Sequence, residues 1–321
     1  AQALYVAAEL RIADLLSDGP RTSAELASAT GAHEPSLHRL LRALTAIDIC
    51  KELPGDTFAI TEMGSLLRAD TPDSLRSWTI WWGSNLWQVW GNLLYSIKTG
   101  ESARRLLTGK EGFGHLEQDA KAAAVFNQAL AELTRLTAQN VVQEYDFSQA
   151  NRIMDIGGGY GELLVWVLRA NPQASGVLFD LPHAIDGARK HFEIEQLDSR
   201  CQFIAGDFFD SVPAGGDLYL LKSILHDWND EKAKIILENC RRAMNGNGRL
   251  LLVERVLPER LENVGAHRAA VRSDLHMLVA LAAQERSESA FKRLLDSSGF
   301  SASRFMPVGA GFNVIEAVPL R

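Results

Sequence analysis

A short apolar segment that breaks into a glycine-rich turn constrains the fold of this chain more than any other feature. Residues 153–156 have the pattern of a buried strand, residues 157–161 contain four glycines, and residues 162–169 form an apolar run long enough for a helix. A strand, a glycine turn and a helix open the nucleotide-binding unit of doubly wound α/β folds. Because glycine lets the backbone turn tightly and a ligand approach it closely, we predict a nucleotide site at this turn.

The spacing of the glycines and two carboxylates specify the nucleotide further. Gly157, Gly159 and Gly161 form G-x-G-x-G, whereas the dinucleotide fingerprint is G-x-G-x-x-G, which disfavours a nicotinamide cofactor. Asp180 ends the next predicted strand, where a carboxylate can accept both ribose hydroxyls of a nucleoside. Asp155 precedes the glycines and can accept a methionine amino group. We therefore predict S-adenosylmethionine, a nucleoside without a pyrophosphate, as the cofactor.

Length and charge restrict the other functional classes. A chain of 321 residues is long enough for two domains, and its net charge of −7 argues against a nucleic-acid partner. No apolar run approaches the ~20 residues that a membrane-spanning helix requires. Cys50, Cys201 and Cys240 lack metal-site spacing and fit a reducing cytosol. We predict a cytoplasmic protein without membrane contact, and because Ala1 already falls within a helical pattern, we expect residues to precede it.

The first sixty residues have the pattern of a winged helix-turn-helix, which is three helices followed by a β-hairpin. The predicted elements are helices over 1–16, 23–30 and 34–47 and hairpin strands over 49–53 and 57–60. Residues 11–70 carry six basic and nine acidic side chains, a net charge of −3, whereas DNA binding depends on neutralising phosphates. We therefore predict a protein–protein module that forms a homodimer. A winged-helix regulator that senses a nucleoside is the alternative.

The remaining pattern predicts a second domain of the α/β class. From residue 151 strands and helices alternate, which indicates a doubly wound, Rossmann-like parallel sheet that ends in an antiparallel hairpin. The predicted strands cover 153–156, 177–180, 202–207, 217–222, 249–254, 305–308 and 312–318. We place the N-terminal α-helical winged-helix dimerisation domain at 1–100 and the catalytic domain at 101–321, with a loop over 98–114 and a bridging helix over 117–145.

Titratable side chains cluster at the carboxyl ends of these strands, where ligands of such sheets bind. Asp207 can meet an adenine amino group, with Phe208 beside the ring, and Lys222 closes the fourth strand. His226 follows that strand and can act as a general base, because a histidine has a near-neutral pKa. Asp227 adjoins it and Glu254 should lie one strand away, where a carboxylate can orient the imidazole. No His, Cys, Asp or Glu set has convincing metal spacing, so we predict no metal.

These motifs, in this order, resemble the plant-type O-methyltransferase family, which includes caffeate and isoflavone methyltransferases and bacterial tailoring enzymes. The matching segments are 155–161, 179–183, 206–209, 221–228 and 284–287. The resemblance implies a winged helix used for dimerisation and His226 as base, flanked by Glu254 and Glu285. It also implies cofactor contacts, which we expect at Asp155, Gly157, Gly159, Asp180, Leu181, Asp207, Phe208 and Lys222. We expect substrate contacts at Phe126, Leu130, Asp227, Trp228 and Met277.

The predicted activity is methylation of a hydroxyl on a small aromatic metabolite, with His226 as general base. Where plant members of the family have Gly-Gly-Lys-Glu-Arg-Thr, this chain has Ala-Ala-Gln-Glu-Arg-Ser at 282–287. Some bacterial relatives of this fold bind the cofactor yet catalyse hydroxylation or decarboxylation. A tailoring enzyme of the same fold with such chemistry, for example a hydroxylase, is therefore the second alternative.

Overall fold

The computed structural model describes residues 1–262, 265–309 and 311–320. Two compact units divide the chain, and the first contains Ala1–Gln88 with Gln128–Leu133. The second contains Val89–Asn127 with Thr134–Arg321. The predicted domain limit at residue 100 and the bridging role of the helix over 117–145 stay predictions.

The first unit has the helices and the hairpin of a winged helix. Its elements are α1 (Gln2–Glu9), α2 (Ile12–Leu15), β1 (Arg21–Thr22), α3 (Ser23–Thr30), α4 (Glu34–Thr45), β2 (Cys50–Leu53), β3 (Thr57–Ile60), α5 (Glu62–Ser65), α6 (Arg76–Trp81) and a π-helical turn (Trp82–Leu86). The three strands pair in the order β1-β3-β2, so the predicted hairpin is present and gains one short strand. Leu26, Leu41 and Phe58 are buried in the core between the helices and this sheet.

The prediction of one continuous helix over residues 1–16 is wrong. The chain forms α1 and α2 instead, because Arg11 between them adopts a left-handed conformation with φ of 56°. A right-handed helix cannot continue through such a residue. The apolar spacing that suggested one helix is kept across the break, since Ala7, Ala8, Ile12 and Leu16 are all buried.

The second unit contains the alternating strands and helices. After α7 (Trp87–Gly91), which crosses the division, the elements are α8 (Leu93–Thr99), α9 (Ala103–Thr108), α10 (Ala120–Glu144), β4 (Arg152–Ile156), α11 (Glu162–Ala170), β5 (Ser175–Asp180), α12 (Pro182–Ile194), β6 (Cys201–Ala205), β7 (Leu218–Lys222), α13 (Asp230–Ala243), β8 (Arg249–Leu257), α14 (Gly265–Leu281), β9 (Arg286–Ser287), α15 (Glu288–Ser297), β10 (Phe300–Gly309) and β11 (Phe312–Pro319). Short 3-10 turns lie at Asp198–Arg200 and Leu225–Asp227.

The sheet has the predicted topology. Its strands follow the order β10-β11-β8-β7-β4-β5-β6, in which β4 to β8 pair in parallel and β10 and β11 pair antiparallel. Neighbouring residues of a strand point to opposite faces, and each face carries its own hydrophobic core. Leu218 and Leu220 belong to one cluster, whereas Tyr219 and Leu221 belong to the other. A parallel sheet covered on both faces requires such continuous apolar strands, and the predicted α/β class is therefore confirmed.

Three local predictions in this unit are wrong. The predicted loop over 98–114 contains α9, which Ser102 caps at its start through a 3.2 Å bond from Arg105 N–H, and which ends at Gly109. Asp207 does not close its strand, because β6 ends two residues earlier at Ala205. Glu254 lies inside β8 instead of at its end, because pairing with β11 and β9 carries this strand on to Leu257.

Within residues 1–262, 265–309 and 311–320, none of the helices combines the length and the apolar character that crossing a bilayer demands.

Candidate active site

The glycine turn after β4 adopts backbone conformations that explain its composition. Gly157, Gly159 and Gly161 have φ of 71°, 59° and 76°, a region that side-chain-bearing residues rarely adopt. A side chain at Gly157 would also have no room, because its Cβ would lie 2.5 Å from Ile224 Cδ1. The turn therefore brings the bare backbone against the segment that follows β7.

Asp180 holds this turn directly. Its Oδ2 accepts a 2.7 Å hydrogen bond from Gly159 N–H, and its Oδ1 accepts a 2.6 Å bond from Leu181 N–H. Desolvation raises the pKa of Asp180, while these two N–H groups oppose that shift. A carboxylate has about four lone-pair sites, so capacity for ribose hydroxyls remains. Asp180 thus combines support of the turn with a position suited to a nucleoside.

Asp155 provides a buried acceptor on the same edge. It is 2% exposed, and its Oδ2 has no hydrogen-bond partner among the described residues. Desolvation, assisted by the charge of Asp180, raises the pKa of Asp155 to about 7, whereas Lys222 opposes the shift. Desolvation also lowers the pKa of Lys222 to about 8. A buried carboxylate oxygen without a hydrogen-bond donor costs free energy unless a ligand supplies one, and an ammonium group is a suitable donor.

The aromatic part of the predicted nucleoside site lies beyond β6. Asp207 Oδ1 accepts a 2.8 Å hydrogen bond from Phe209 N–H, which orders the turn that carries Phe208. Phe208 packs edge-on against Phe209 and Trp228, with ring centroids 4.9 and 6.1 Å apart. Its ring also approaches the glycine turn, since a Cβ at Gly157 would lie 3.5 Å from Phe208 Cε1. The residues at this edge therefore fit S-adenosylmethionine.

His226 lies on the 3-10 turn Leu225–Asp227, surrounded by carboxylates. Its Nδ1 is 2.9 Å from Glu285 Oε1, and its Nε2 is 3.4 Å from Asp227 Oδ1. Glu254 Oε2 is farther, at 4.0 Å from Nδ1. Nδ1 is therefore engaged by Glu285, which leaves Nε2 as the nitrogen that can exchange a proton with a substrate.

The two glutamates do different work, which the sequence did not distinguish. Glu254 Oε1 accepts hydrogen bonds from Ile224 N–H at 3.0 Å and Leu225 N–H at 2.8 Å, so it holds the backbone of the turn. Glu285 meets the imidazole itself and also accepts a 2.6 Å bond from Ser273 Oγ on α14. Ring orientation therefore comes from Glu285, the residue that only the family resemblance had indicated.

The charges of this cluster set its protonation. Burial lowers the pKa of His226, but the carboxylates of Glu285, Asp227 and Glu254 outweigh it and raise the pKa to about 10. Burial raises the pKa of Asp227 to about 7, opposed by the imidazolium and assisted by the two glutamates. Burial likewise raises the pKa of Glu254, whereas His226 outweighs burial and lowers the pKa of Glu285. The four groups therefore titrate as a coupled set around one imidazole.

The same cluster has the spacing of a cation site. One ligand atom each from His226, Glu254 and Glu285 lies within 4.8 Å of the others. These groups already pair with one another and with backbone N–H groups, as described above. The predicted absence of a metal stays a prediction.

Several of the residues predicted to contact the substrate lie among aromatic side chains. The ring of Phe126 on α10 lies 5.5 Å from that of Phe113 at a tilt of 39°, and Phe113 packs edge-on against Trp228 at 6.2 Å between centroids. Trp228 Nε1 is buried without a hydrogen-bond partner among the described residues, so a ligand acceptor would complete it. Met277 on α14 is buried. Leu130 belongs to the other compact unit, and its substrate contact stays a prediction.

Three basic residues near these aromatic rings were not among the predicted site residues. Trp90 Nε1–H donates a 3.1 Å hydrogen bond to His276 Nδ1, and burial lowers the pKa of His276 to about 3. Arg104 is 5% exposed and lies 3.1 Å from His115 Nε2. Arg104 lies within the predicted loop over 98–114, which contains α9; the helix caps Ser102 and Gly109 were the available sequence signal.

Known protein families match both parts of the chain. Residues 90–301 match the O-methyltransferase domain, and residues 1–70 match the O-methyltransferase dimerisation domain. The chain belongs to the O-methyltransferase family. The predicted family, fold, enzyme class and S-adenosylmethionine dependence of the enzyme are thereby confirmed. The winged-helix regulator loses its basis, because the winged helix is the family's dimerisation domain.

Individual relatives agree over nearly the whole length. The phenazine O-methyltransferase PhzM of Lysobacter antibioticus is 44% identical over 99% of this enzyme and 92% of its own chain. The crystal structure of LaPhzM has a TM-score of 0.96 at 44% identity and covers 99% and 95% of the two chains. NcsB1 from neocarzinostatin biosynthesis, crystallised with S-adenosylmethionine and 2-hydroxy-5-methyl naphthoic acid, has a TM-score of 0.84 at 32% identity, with 99% and 95% covered.

Not every relative is named for oxygen methylation. The 8-amino-8-demethylriboflavin N,N-dimethyltransferase of Streptomyces davaonensis is 36% identical over 98% of this enzyme and 90% of its own chain. The acceptor atom of this enzyme is therefore a question for its own site.

Proposed function

We propose that the enzyme methylates a hydroxyl of a small fused-ring aromatic metabolite, with His226 as general base. The observation that carries this proposal is the buried imidazole whose Nδ1 is 2.9 Å from Glu285 Oε1, so that Nε2, in the neutral form of the ring, would accept the substrate proton. The aromatic rings of Phe113, Phe126 and Trp228 on the acceptor side support a flat aromatic substrate. The named acceptors of the relatives, a phenazine and a naphthoic acid, belong to that class.

The chemistry needs a deprotonated oxygen, because a phenol has a pKa of about 10 and is neutral at pH 7. S-adenosylmethionine, when bound, supplies an electrophilic methyl group on a cationic sulfur. The acceptor oxygen forms its bond to the methyl carbon as the carbon–sulfur bond breaks, and its proton passes to His226 Nε2. Glu285 stabilises the imidazolium that results, as a carboxylate does in a His–Asp pair. Most of the rate arises from alignment of the reacting atoms.

Cofactor contacts are proposed for the residues that line the carboxyl edge of the sheet. Asp155, with its unpartnered Oδ2, would hold the methionine amino group, and Asp180 would hold the ribose. Gly157 and Gly159 would bring the backbone close, with Leu181 beside Asp180. The remaining proposed contacts are Asp207, Phe208 and Lys222.

The test is the identity of the product. The intact enzyme with S-adenosylmethionine and a panel of hydroxyphenazines and hydroxynaphthoic acids should yield S-adenosylhomocysteine and a product heavier by one CH₂ on oxygen, located by NMR. Amino analogues of the same rings serve as matched controls and should react poorly. A product methylated only on nitrogen would overturn the oxygen assignment, and a product heavier by one oxygen atom would instead establish the hydroxylase alternative.

We also propose that the enzyme is a homodimer, supported by the match of residues 1–70 to the dimerisation domain. A dimer interface formed by residues 1–70 should bury apolar surface between two copies of the chain. Light scattering at micromolar concentration should give twice the mass of one chain, and removal of α1 should reduce it. The mass of a single chain would contradict this prediction. A cytosolic location and the absence of a nucleic-acid partner stay predictions from composition.

A further inference from the structure

The turn that carries His226 lies between two buried charged side chains. On its N–H side is Glu254, whose carboxylate accepts from Ile224 and Leu225. On its carbonyl side is Arg286, whose side chain is only 1% exposed. Arg286 Nη1–H donates to Leu225 O at 2.6 Å and Nη2–H donates to Trp228 O at 2.7 Å. The guanidinium thus bridges the two ends of the turn, and His226 lies between the two bridged residues.

The turn has little strength of its own. Its internal backbone bonds are long, 3.2 Å from Asp227 N to Ile224 O and 3.3 Å from Trp228 N to Leu225 O. Ser223, two residues before the turn, has φ of 54°, a conformation that costs energy for a residue with a side chain. The position of His226 must therefore be imposed by groups outside the turn.

Arg286 is anchored where it can impose that position. It begins β9, which pairs in parallel with β8 through Val256, two residues beyond Glu254. Its Nε–H also donates to Asp230 Oδ1 at 2.9 Å, at the start of α13. The residue before it, Glu285, holds the imidazole. Two successive residues therefore hold the ring and the backbone of the same histidine.

We propose that Arg286 is a positioning residue, which fixes the Leu225–Trp228 turn so that His226 faces Glu285 with Nδ1 and the acceptor with Nε2. This inference rests on the proposed role of His226 as base. Only a guanidinium fits this task, because its fork of N–H groups reaches two carbonyls and a carboxylate at once. An ammonium group is a single point donor and cannot span them.

The test compares Arg286→Gln and Arg286→Lys with Arg293→Gln, a matched control on α15 whose side chain is exposed. In the Gln variant the turn should relax away from Glu285, and kcat should fall about tenfold to a hundredfold. Lysine should restore only part of this loss, and the control should match the wild type. Thermal unfolding identifies any variant that fails to fold. If the Gln variant fails, kcat of the Lys variant decides the test.

A second readout separates positioning from general damage. NMR titration of ¹⁵N-labelled histidine in the intact chain, with the His226 signal assigned from its absence in His226→Gln, reports the pKa of the imidazole. The groups that act on it are Glu285, Asp227, Glu254 and the neighbouring His276. Loss of the Arg286 charge by itself would raise this pKa, so a fall reports the lost contact with Glu285; we expect Arg286→Gln to lower the pKa by at least about 1, as Glu285→Gln should.

The outcomes are distinct. A folded Gln variant with reduced kcat and an unchanged pKa of His226 would overturn the proposal, and so would wild-type kcat. The NMR shift needs no turnover, so it can succeed even where the base assignment fails. Full activity in His226→Gln would refute the base assignment and the kcat arm of this test but not its NMR arm, whereas an unshifted pKa in the Arg286 variants would refute the positioning role alone.

Discussion

Replacing His226 with glutamine is expected to lower kcat by about 10²- to 10⁴-fold, the usual contribution of a general base. Glutamine keeps much of the buried volume and can still donate to Glu285, but it cannot take up a proton. Affinity for S-adenosylhomocysteine, measured by calorimetry, should stay close to that of the wild type. The control is His33→Gln, which alters an exposed histidine of the first unit and should leave kcat unchanged.

The dependence of kcat/KM on pH tests the role of His226 as base. Because its surrounding carboxylates raise the pKa of His226 to about 10, the imidazole is protonated at neutral pH in the ligand-free protein. A general base works in its neutral form, so kcat/KM should rise with pH below that value, and the cation of bound S-adenosylmethionine should lower the pKa by like-charge repulsion.

His226→Gln should remove this rise of kcat/KM with pH. Its activity should recover in part at alkaline pH, where the phenol ionises unaided. A variant at the wild-type rate would mean that another group takes the proton. A large loss with an unchanged pH profile would point to a positioning role for His226 instead.

Replacing Asp180 with alanine is expected to weaken S-adenosylhomocysteine binding by about 1.5–3 kcal/mol, the range for hydrogen bonds to a charged group. That loss corresponds to roughly 10- to 150-fold in Kd. Two effects would combine, because the carboxylate is proposed to hold the ribose and it also accepts from Gly159 N–H at 2.7 Å. Its removal therefore loosens the glycine turn as well as deleting a ligand contact.

Calorimetry with S-adenosylhomocysteine measures this change, and Asp186→Ala is the matched control. Asp186 is an exposed carboxylate on α12, the helix that follows Asp180, so its loss should leave Kd within the error of the wild type. Asp180→Asn should lie between the two, since the amide keeps one acceptor oxygen. Wild-type affinity in Asp180→Ala would show that the ribose is held elsewhere.

Much of the second unit could be predicted because its signals are local. The strand 153–156, the glycines and the following helix adjoin in sequence, and the next strand places Asp180 at the same edge by the rule for parallel sheets. The errors arose where tertiary pairing extended an element, as in β8 beyond Glu254. Others arose where a short helix has too few apolar positions to show a period, as in α9.

The α/β class and the cofactor type could be predicted from sequence, because they depend on a strand–turn–helix pattern and on the rule that carboxyl ends of neighbouring parallel strands meet at one edge. The same rule led to the proposal of His226 as base. The different roles of Glu254 and Glu285 became visible only in the packed chain, where Glu254 accepts from the backbone of the turn and Glu285 contacts the ring. The same holds for Arg286, which reaches Leu225 across 61 positions of the chain. Periodicity and spacing report which face a residue occupies, whereas a buried hydrogen bond between distant segments depends on how those faces finally pack.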